Sequence, residues 1–593
     1  METLLSKRAP QSNNNGGPTF AILGVGAVGD GSVYPRREIR ELETDPDQWN
    51  VFLLGLRRFQ RMDQSDMLSY YQIAGIHGRP FKPWDGVQQA EGGHGGYCAH
   101  GSNIFATWHR PYLALFEQVL YLNAREAIRE FPPSERRDRY ENALATLRLP
   151  YWDWATASSS GEGVYPSSLQ SPNIDITLPN GTLTVKNPLY SYTFHPLNHE
   201  DLYDPNLTQY SIYPSTVRSP SSKEPTAASR NDLISTDLEA NRANLQSRVY
   251  NMFTMMHDYY TFSNDISSKD SLEGIHDTVH GLVGKGGHMS QVPYAGFDPI
   301  FWLHHANVDR LFAIWQSLNP ESYVWPNQSR TATFAVANGT VLDADSALQP
   351  FHADDRGKTW TSNSVRSTST FSYTYPELAD SPTNSDLVAR INALYGPDAT
   401  APTPNIPVST PRTSFPGHGH QPIAGAPSFS SRRQYICDIK VRKFALDGSF
   451  FIYVFLGEDP GDDASAWTGL SSFVGVHGVF AASGMHSDVE VHGAVPLTAA
   501  LEARLNGGGL EGMGEGGVES YLKESLRWRV KSMDGRSIPL DQVPSLQVSV
   551  SWSEVEPARS RKEFPKMKGD WGLLHGATDG RKGGWWGKGN SVG

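Results

Sequence analysis

The chain has 593 residues, 38% hydrophobic and 19% charged, the composition of an ordinary globular protein too long for one core. Its 51 Lys and Arg against 63 Asp and Glu leave a net charge of −12 spread along the chain, which excludes the clustered basic face of a nucleic-acid binder. No apolar run approaches the roughly 18 residues of a membrane span, and two cysteines, Cys98 and Cys437, exclude a disulfide framework.

Met1 to Asn15 lacks the apolar core of a secretory signal, so the four sequons at Asn180, Asn206, Asn327 and Asn338 carry little weight and the chain reads as intracellular. Gly24-Val25-Gly26-Ala27-Val28-Gly29 satisfies a dinucleotide-binding pattern literally, but no helix can open in the Asp30-Gly31-Ser32 that follows, so it reads as a glycine-rich entry loop. Asp45 can cap a helix that starts at Pro46 and sets Trp49, Phe52, Leu53 and Leu56 on one face. A second helix runs over Asp66–Ile76, and a third, broadly apolar, over His109–Phe131. Thr156–Asp232 has no sustained periodicity and reads as a functional rim. Leu238–Met256 carries Leu245, Val249, Met252, Phe253 and Met256 on one stripe; Asp270 opens a helix through Val283, and Asp298-Pro299 one through Leu318.

Composition shifts near residue 400, where Ala401–Arg433 is rich in Pro, Ser and Gly, a poor core and a good linker. Beyond it, Tyr435–Val441, Phe450–Leu456 and Ser545–Trp552 read as strands. The expected organisation is a helical domain over 1–380, a linker over 381–434, a β-rich domain over 435–560 and a flexible tail over 561–593.

The histidines carry the chemistry. With 19 among 593 residues, chance supplies about 0.6 H-x-x-x-H pairs, so His276 and His280 alone are weak. Four apart on a helix, however, their rings can converge on one ion, and His304-His305 arrives on another helix. Upstream, His77 ends one helix while His100 and His109 flank the start of another, giving two imidazole sets with no thiol or carboxylate cluster. Neutral imidazole suits copper, zinc, iron and nickel. Only Glu273–His276 fits the Glu-x-x-His pairing of a di-iron bundle, and His276-Asp277-Thr278-Val279-His280 lacks the glutamate of a zinc protease. All-histidine sets favour a redox copper pair that meets dioxygen.

Four runs resemble the motifs of fungal tyrosinases and polyphenol oxidases: Tyr97-Cys98-Ala99-His100-Gly101-Ser102, Trp108-His109-Arg110-Pro111-Tyr112-Leu113, Leu149-Pro150-Tyr151-Trp152-Asp153-Trp154, and Phe297-Asp298-Pro299-Ile300-Phe301-Trp302-Leu303-His304-His305. The resemblance is strong over roughly residues 30–380. It implies a mainly α catalytic domain, a four-helix bundle with long loops around a dicopper site, and a β-sandwich-like C-terminal shielding domain. It further implies that two copper ions oxidise phenols and catechols to o-quinones with dioxygen. Two rival readings are a pure catechol oxidase and a dioxygen carrier without turnover.

Carried over by position, His77, His100 and His109 match the ligands of one copper, and His276, His280 and His305 those of the other. His304 would orient rather than bind, Phe301 would pack beside a ligand ring, and Asp309 would be a candidate orienter. Cys98 resembles the family's cysteine joined by a thioether to His100. Glu273 occupies the position that holds a water near the second copper, with Asp277 expected to repel it where many hydroxylating members carry Asn. Val292 is placed at the entrance, and Arg36 or Arg37 would tie the start of the domain to its end at Tyr373-Thr374-Tyr375. The C-terminal runs Phe455-Leu456-Gly457 and Val479-Phe480-Ala481 resemble the shielding domain, with Phe480 as the ring that fills the phenol site until a protease cuts the linker. The chain lacks a C-terminal Cys-x-x-Cys, which argues against copper loading through that domain.

Overall fold

Asp45 caps the first long helix, α1 (Pro46–Gln60), its carboxylate accepting the Gln48 amide at 3.1 Å. This computed structural model describes residues 17–156, 161–397, 399, 433–485 and 487–585. Four more long helices follow: α2 (Phe105–Arg129), α3 (Asn231–Met255), α4 (Leu272–Gly284) and α5 (Ile300–Leu318). Nearly every residue of α2 before Arg125 is buried, and it lies between α1 and α5. Helix α5 also touches α4, which is capped by Ser271 and packs in turn on α3. The catalytic region is thus helical, and α2, α4 and α5 bring their inner faces to one place. No described helix is long and apolar enough to cross a membrane.

The start and end of this region are tied together. Tyr34-Pro35 pairs in parallel with Tyr373-Thr374, and the Arg36 guanidinium lies 3.6 Å from the Tyr373 ring centroid. Of the two candidate arginines it is Arg36 that is buried in this knot, while Arg37 pairs with Asp45 nearer the surface. The glycine-rich Gly24–Gly29 forms only one turn of 3-10 helix, Val25–Ala27, and no dinucleotide-type helix.

The rim expected to be irregular, Thr156–Asp232, contains a hairpin of Asn173–Leu178 and Gly181–Lys186. The expected linker over 381–434 begins with a helix, Asn384–Tyr395, whose Leu387, Ile391 and Tyr395 are buried in the catalytic core. Tyr395 donates to Asp153 at 2.6 Å. Beyond Tyr395, that linker lies outside the described residues apart from Gly396, Pro397, Ala399, Arg433 and Gln434. The tail read as flexible over 561–593 is ordered in part, because its strand finds a partner edge in the β domain; residues 586–593 lie outside the described residues.

The C-terminal domain is a sandwich of two antiparallel four-stranded sheets. Its strands are β1 (Arg433–Arg442), β2 (Phe450–Leu456), β3 (Phe473–Val479), β4 (Glu490–Pro496), β5 (Leu526–Ser532), β6 (Ser537–Ile538), β7 (Gln547–Glu556) and β8 (Lys566–Leu573). They are ordered β3-β2-β5-β6 and β4-β1-β7-β8. Strand β2 is buried on both faces: Phe450, Ile452, Val454 and Leu456 enter the sandwich core, while Phe451, Tyr453 and Phe455 join the core of the helical domain. Two glycines permit this contact. A Cβ on Gly281 of α4 would lie 2.5 Å from the Phe451 ring, and one on Gly478 of β3 would lie 2.8 Å from the Thr278 Cα. The β domain is therefore docked on α4, the helix that carries His276 and His280.

Candidate metal centre

Four of the imidazoles, those of His77, His109, His276 and His280, are held through their δ nitrogens by an oxygen acceptor. His77 follows the short helix Tyr70–Gly75, and its Nδ1 lies 3.0 Å from the Val292 carbonyl. His109 lies one turn inside α2, because that helix starts at Phe105, and its Nδ1 is 2.8 Å from the Phe105 carbonyl. His280 Nδ1 is 2.7 Å from the Met289 carbonyl. A carbonyl can only accept, so these three rings carry their proton on Nδ1 and present Nε2 as a lone pair. His276 Nδ1 lies 2.8 Å from Asp277 Oδ1, and the Nε2 atoms of His276 and His280 each lie 3.3 Å from His305 Nε2.

Two ligand groups result, His77, Cys98, His100 and His109 in one, and His276, His280, His304 and His305 in the other, with ligand atoms in each within 4.8 Å of one another. The groups adjoin, since the His109 and His305 rings stack at 4.4 Å. His77 Nε2 is buried without a hydrogen-bond partner, an orphan that a metal would satisfy. Burial, reinforced by neighbouring imidazoles, holds His77, His100, His276, His280 and His305 well below the usual imidazole range. Burial likewise takes His109 down to about 4. All six rings are neutral at physiological pH, the state in which imidazole ligates. The donor set fits two soft-to-borderline metal ions.

His304, which burial holds at about 3, makes no hydrogen bond to a ligand ring; it stacks on His276 at 5.0 Å. Phe301 packs 4.1 Å from the His305 ring and 4.9 Å from His77. Asp309 does not orient an imidazole. Its carboxylate is taken by Arg110 at 2.7 Å, Arg36 at 3.3 Å and the Tyr373 and Tyr375 hydroxyls at 2.5 and 2.6 Å, and these cations outcompete a neutral ring. Cys98 Sγ lies 3.3 Å from His100 Nδ1 and 3.7 Å from its Nε2, so the sulfur faces the ring carbon between the two nitrogens.

Glu273 is buried; one oxygen accepts the Gly101 amide at 2.7 Å and the other the Asp265 amide at 3.2 Å. It therefore joins the loop of His100 to the helix of His276. Asp277 gives its other oxygen to the Phe480 amide at 3.3 Å. Burial first, then the neighbouring carboxylates, pushes Glu273 well above the usual carboxylate range. The expected repulsion between Glu273 and Asp277 is answered by Lys443, which the sequence does not mark, since Arg442-Lys443 at a strand end resembles any solvated pair. Lys443 is buried with its Nζ 2.6 Å from Asp265 and 3.9 Å from both Glu273 and Asp277.

Phe480 sits over the centre. Its ring stacks on His280 at 4.2 Å and meets His100 edge-on at 5.5 Å. A cavity of about 280 Å³ leads inward past Val292, Lys443 and Phe480 to His77, Cys98 and His100.

Residues 67–318 match the family model for the common central domain of tyrosinase, and residues 434–550 that for the tyrosinase C-terminal domain. The chain is similar to the tyrosinase of Neurospora crassa, 33% identical over 90% of this chain and 94% of the relative. It is similar to that of Podospora anserina at 33%, over 81% and 95%. Among solved structures it resembles latent and active mushroom tyrosinase with a TM-score of 0.76 and 26% identity, over 93% of this chain and 98% of the other.

Proposed function

The chain belongs to the tyrosinase family, and from that premise we propose that His77, His100 and His109 hold one copper ion and His276, His280 and His305 a second. The protein is a copper-dependent oxidoreductase that acts on phenols with dioxygen, and with its C-terminal domain in place it has the latent form. The observation that carries the ligand assignment is the donation of Nδ1–H from His77, His109 and His280 to backbone carbonyls, which turns Nε2 inward on neutral, buried rings. Bound copper supplies the activation of dioxygen and the two-electron chemistry. The test is copper content together with turnover of a monophenol and an o-diphenol. Two coppers per chain and quinone formation from the diphenol are expected, and a protein that takes up only zinc and turns over neither would end the reading.

In this reading the protein's own groups orient the phenol and manage its proton. The ring of the substrate takes the place of Phe480, stacked on His280, after a protease has cut the linker and the C-terminal domain has left. Val292, on the cavity wall, is small enough to admit bulky phenols. Glu273, fixed at both oxygens by amides, retains a lone pair on each and polarises the water that accepts the phenolic proton.

Asp277 sets the balance between the two substrates. It accepts from His276 Nδ1, so its negative charge raises the basicity of that ring. Oxidation of the diphenol is therefore expected to outrun hydroxylation of the monophenol. Asp277→Asn keeps an acceptor for His276 but removes the charge, and the monophenol-to-diphenol ratio of kcat should rise several-fold. An unchanged ratio in a correctly metallated variant would remove Asp277 from this role.

Cys98 is proposed to bond to the His100 carbon that its sulfur faces, the thiol and the ring C–H each giving up a hydrogen and the two electrons passing to dioxygen, the oxidant that the enzyme already takes. The peptide spanning both residues should then be two hydrogens lighter than its sequence mass and should resist thiol alkylation after denaturation. A freely alkylated Cys98 in copper-loaded, active protein would overturn the thioether.

A further inference from the structure

Two of the side chains that the C-terminal domain sends into the active-site cleft differ in kind, one an aromatic ring and the other an ammonium. Phe480 lies over the imidazoles, and Lys443 is buried among three carboxylates of the catalytic domain. Both approach the same atom, since Asp277 Oδ2 accepts the Phe480 amide at 3.3 Å and lies 3.9 Å from Lys443 Nζ. Both also line the same cavity, with His77, His100 and Val292. We propose that this cleft selects phenols carrying an ammonium group, and that Lys443 and Phe480 together occupy it as a stand-in for such a substrate. The proposal rests on the phenol-oxidising reading above.

Three observations carry it. Lys443 is 3% exposed, and an ammonium is taken out of water at a cost of several kcal/mol unless countercharges await it. Its partners, Asp265 at 2.6 Å and Glu273 and Asp277 at 3.9 Å, all belong to the catalytic domain, so three carboxyl groups stay behind with no ammonium when the β domain leaves. Asp265 Oδ1 is buried and has no hydrogen-bond partner even with Lys443 in place, which leaves capacity for a second donor. The neighbouring cations do not compensate: Arg248 is taken by Asp270 at 2.7 Å, and Arg79 on the cavity wall faces Asp204 at 3.4 Å. An anionic tail meets three carboxyl groups and an arginine that already faces Asp204, whereas an ammonium meets acceptors on all three.

The test uses the copper-loaded full chain with Lys443→Ala and Phe480→Ala together, which empties both positions beside an existing cavity. Phenethylammonium has no hydroxyl to oxidise and serves as the probe, against neutral 2-phenylethanol and anionic 3-phenylpropionate. Calorimetry should find the cation bound at least about tenfold more tightly than the anion, with the neutral compound between them. In Phe480→Ala alone, Lys443 still holds the carboxylate position and the preference should shrink several-fold. Equal binding of the three probes in the double variant, or the same preference in the single one, would overturn the proposal. Should the double variant fail to fold, the unaltered chain after cleavage and release gives a second measurement, kcat/KM for dopamine, 4-methylcatechol and 3,4-dihydroxyhydrocinnamate. Dopamine should lead, and its lead should shrink as salt is raised. No turnover of 4-methylcatechol would sink the oxidase reading itself; turnover with equal kcat/KM for all three would sink only the charge selection.

Discussion

Cleavage after Tyr395 followed by separation of the two parts is expected to raise o-diphenol turnover at least about tenfold at constant copper content, because a tethered ring competes like a ligand at millimolar concentration. The ring is Phe480, stacked 4.2 Å from His280 where a phenol must lie. Cleavage alone should change little. Phe451 pressed on Gly281, the Gly478 amide donating to Thr278 at 3.0 Å and Lys443 among its carboxylates do not depend on the linker. The cut should fall beyond the helix Asn384–Tyr395, whose buried face stays with the catalytic part. Activity measured before the cut, after it, and after separation by size distinguishes these steps. Equal activity at all three, with separation confirmed, would show that the domain does not shield the site.

His280→Ala or His109→Ala should each lose one of two coppers and all detectable turnover. Each removes one inward lone pair and leaves a buried carbonyl without its donor, which costs about 1–3 kcal/mol of stability, too little to unfold a domain of this size. His304→Ala is the control. Its ring stacks on His276 without a hydrogen bond to any ligand ring, so both coppers should remain and only the turnover should fall. Metal analysis of the variants decides the matter, and loss of a copper from His304→Ala with retention in His305→Ala would reverse the assignment within the pair.

Among the long helices, α1 was legible from its cap Asp45-Pro46 and its apolar face, and α4 from the polar Asp270-Ser271 before an apolar run, although the capping side chain is Ser271 rather than Asp270. Four of the six proposed ligands, His109, His276, His280 and His305, lie on helices, and it was the resemblance of the motifs around them, more than their spacing, that marked them as a set. What the sequence hid depends on partners distant in the chain. Asp309 looks like an orienter of His305 at one-turn spacing, yet Arg36 and Arg110 claim it from 273 and 199 residues away. The strand Lys566–Leu573 is too rich in Lys and Gly to predict itself and exists because β7 offers it an edge. Lys443 was hidden for the same reason, since a lysine reveals its burial only when the carboxylates around it are in place.

Strand β2 has one further consequence. Its outward residues Phe451, Tyr453 and Phe455 are buried against the helical domain, with Trp467 and Phe473 of the sandwich packed beside the last two. Once the domains part, the liberated sandwich presents an aromatic stripe to water, a surface that favours self-association over redocking. Activation should therefore act as a ratchet: the freed fragment is removed as insoluble material, and the enzyme cannot be returned to its silent state by mixing the pieces again.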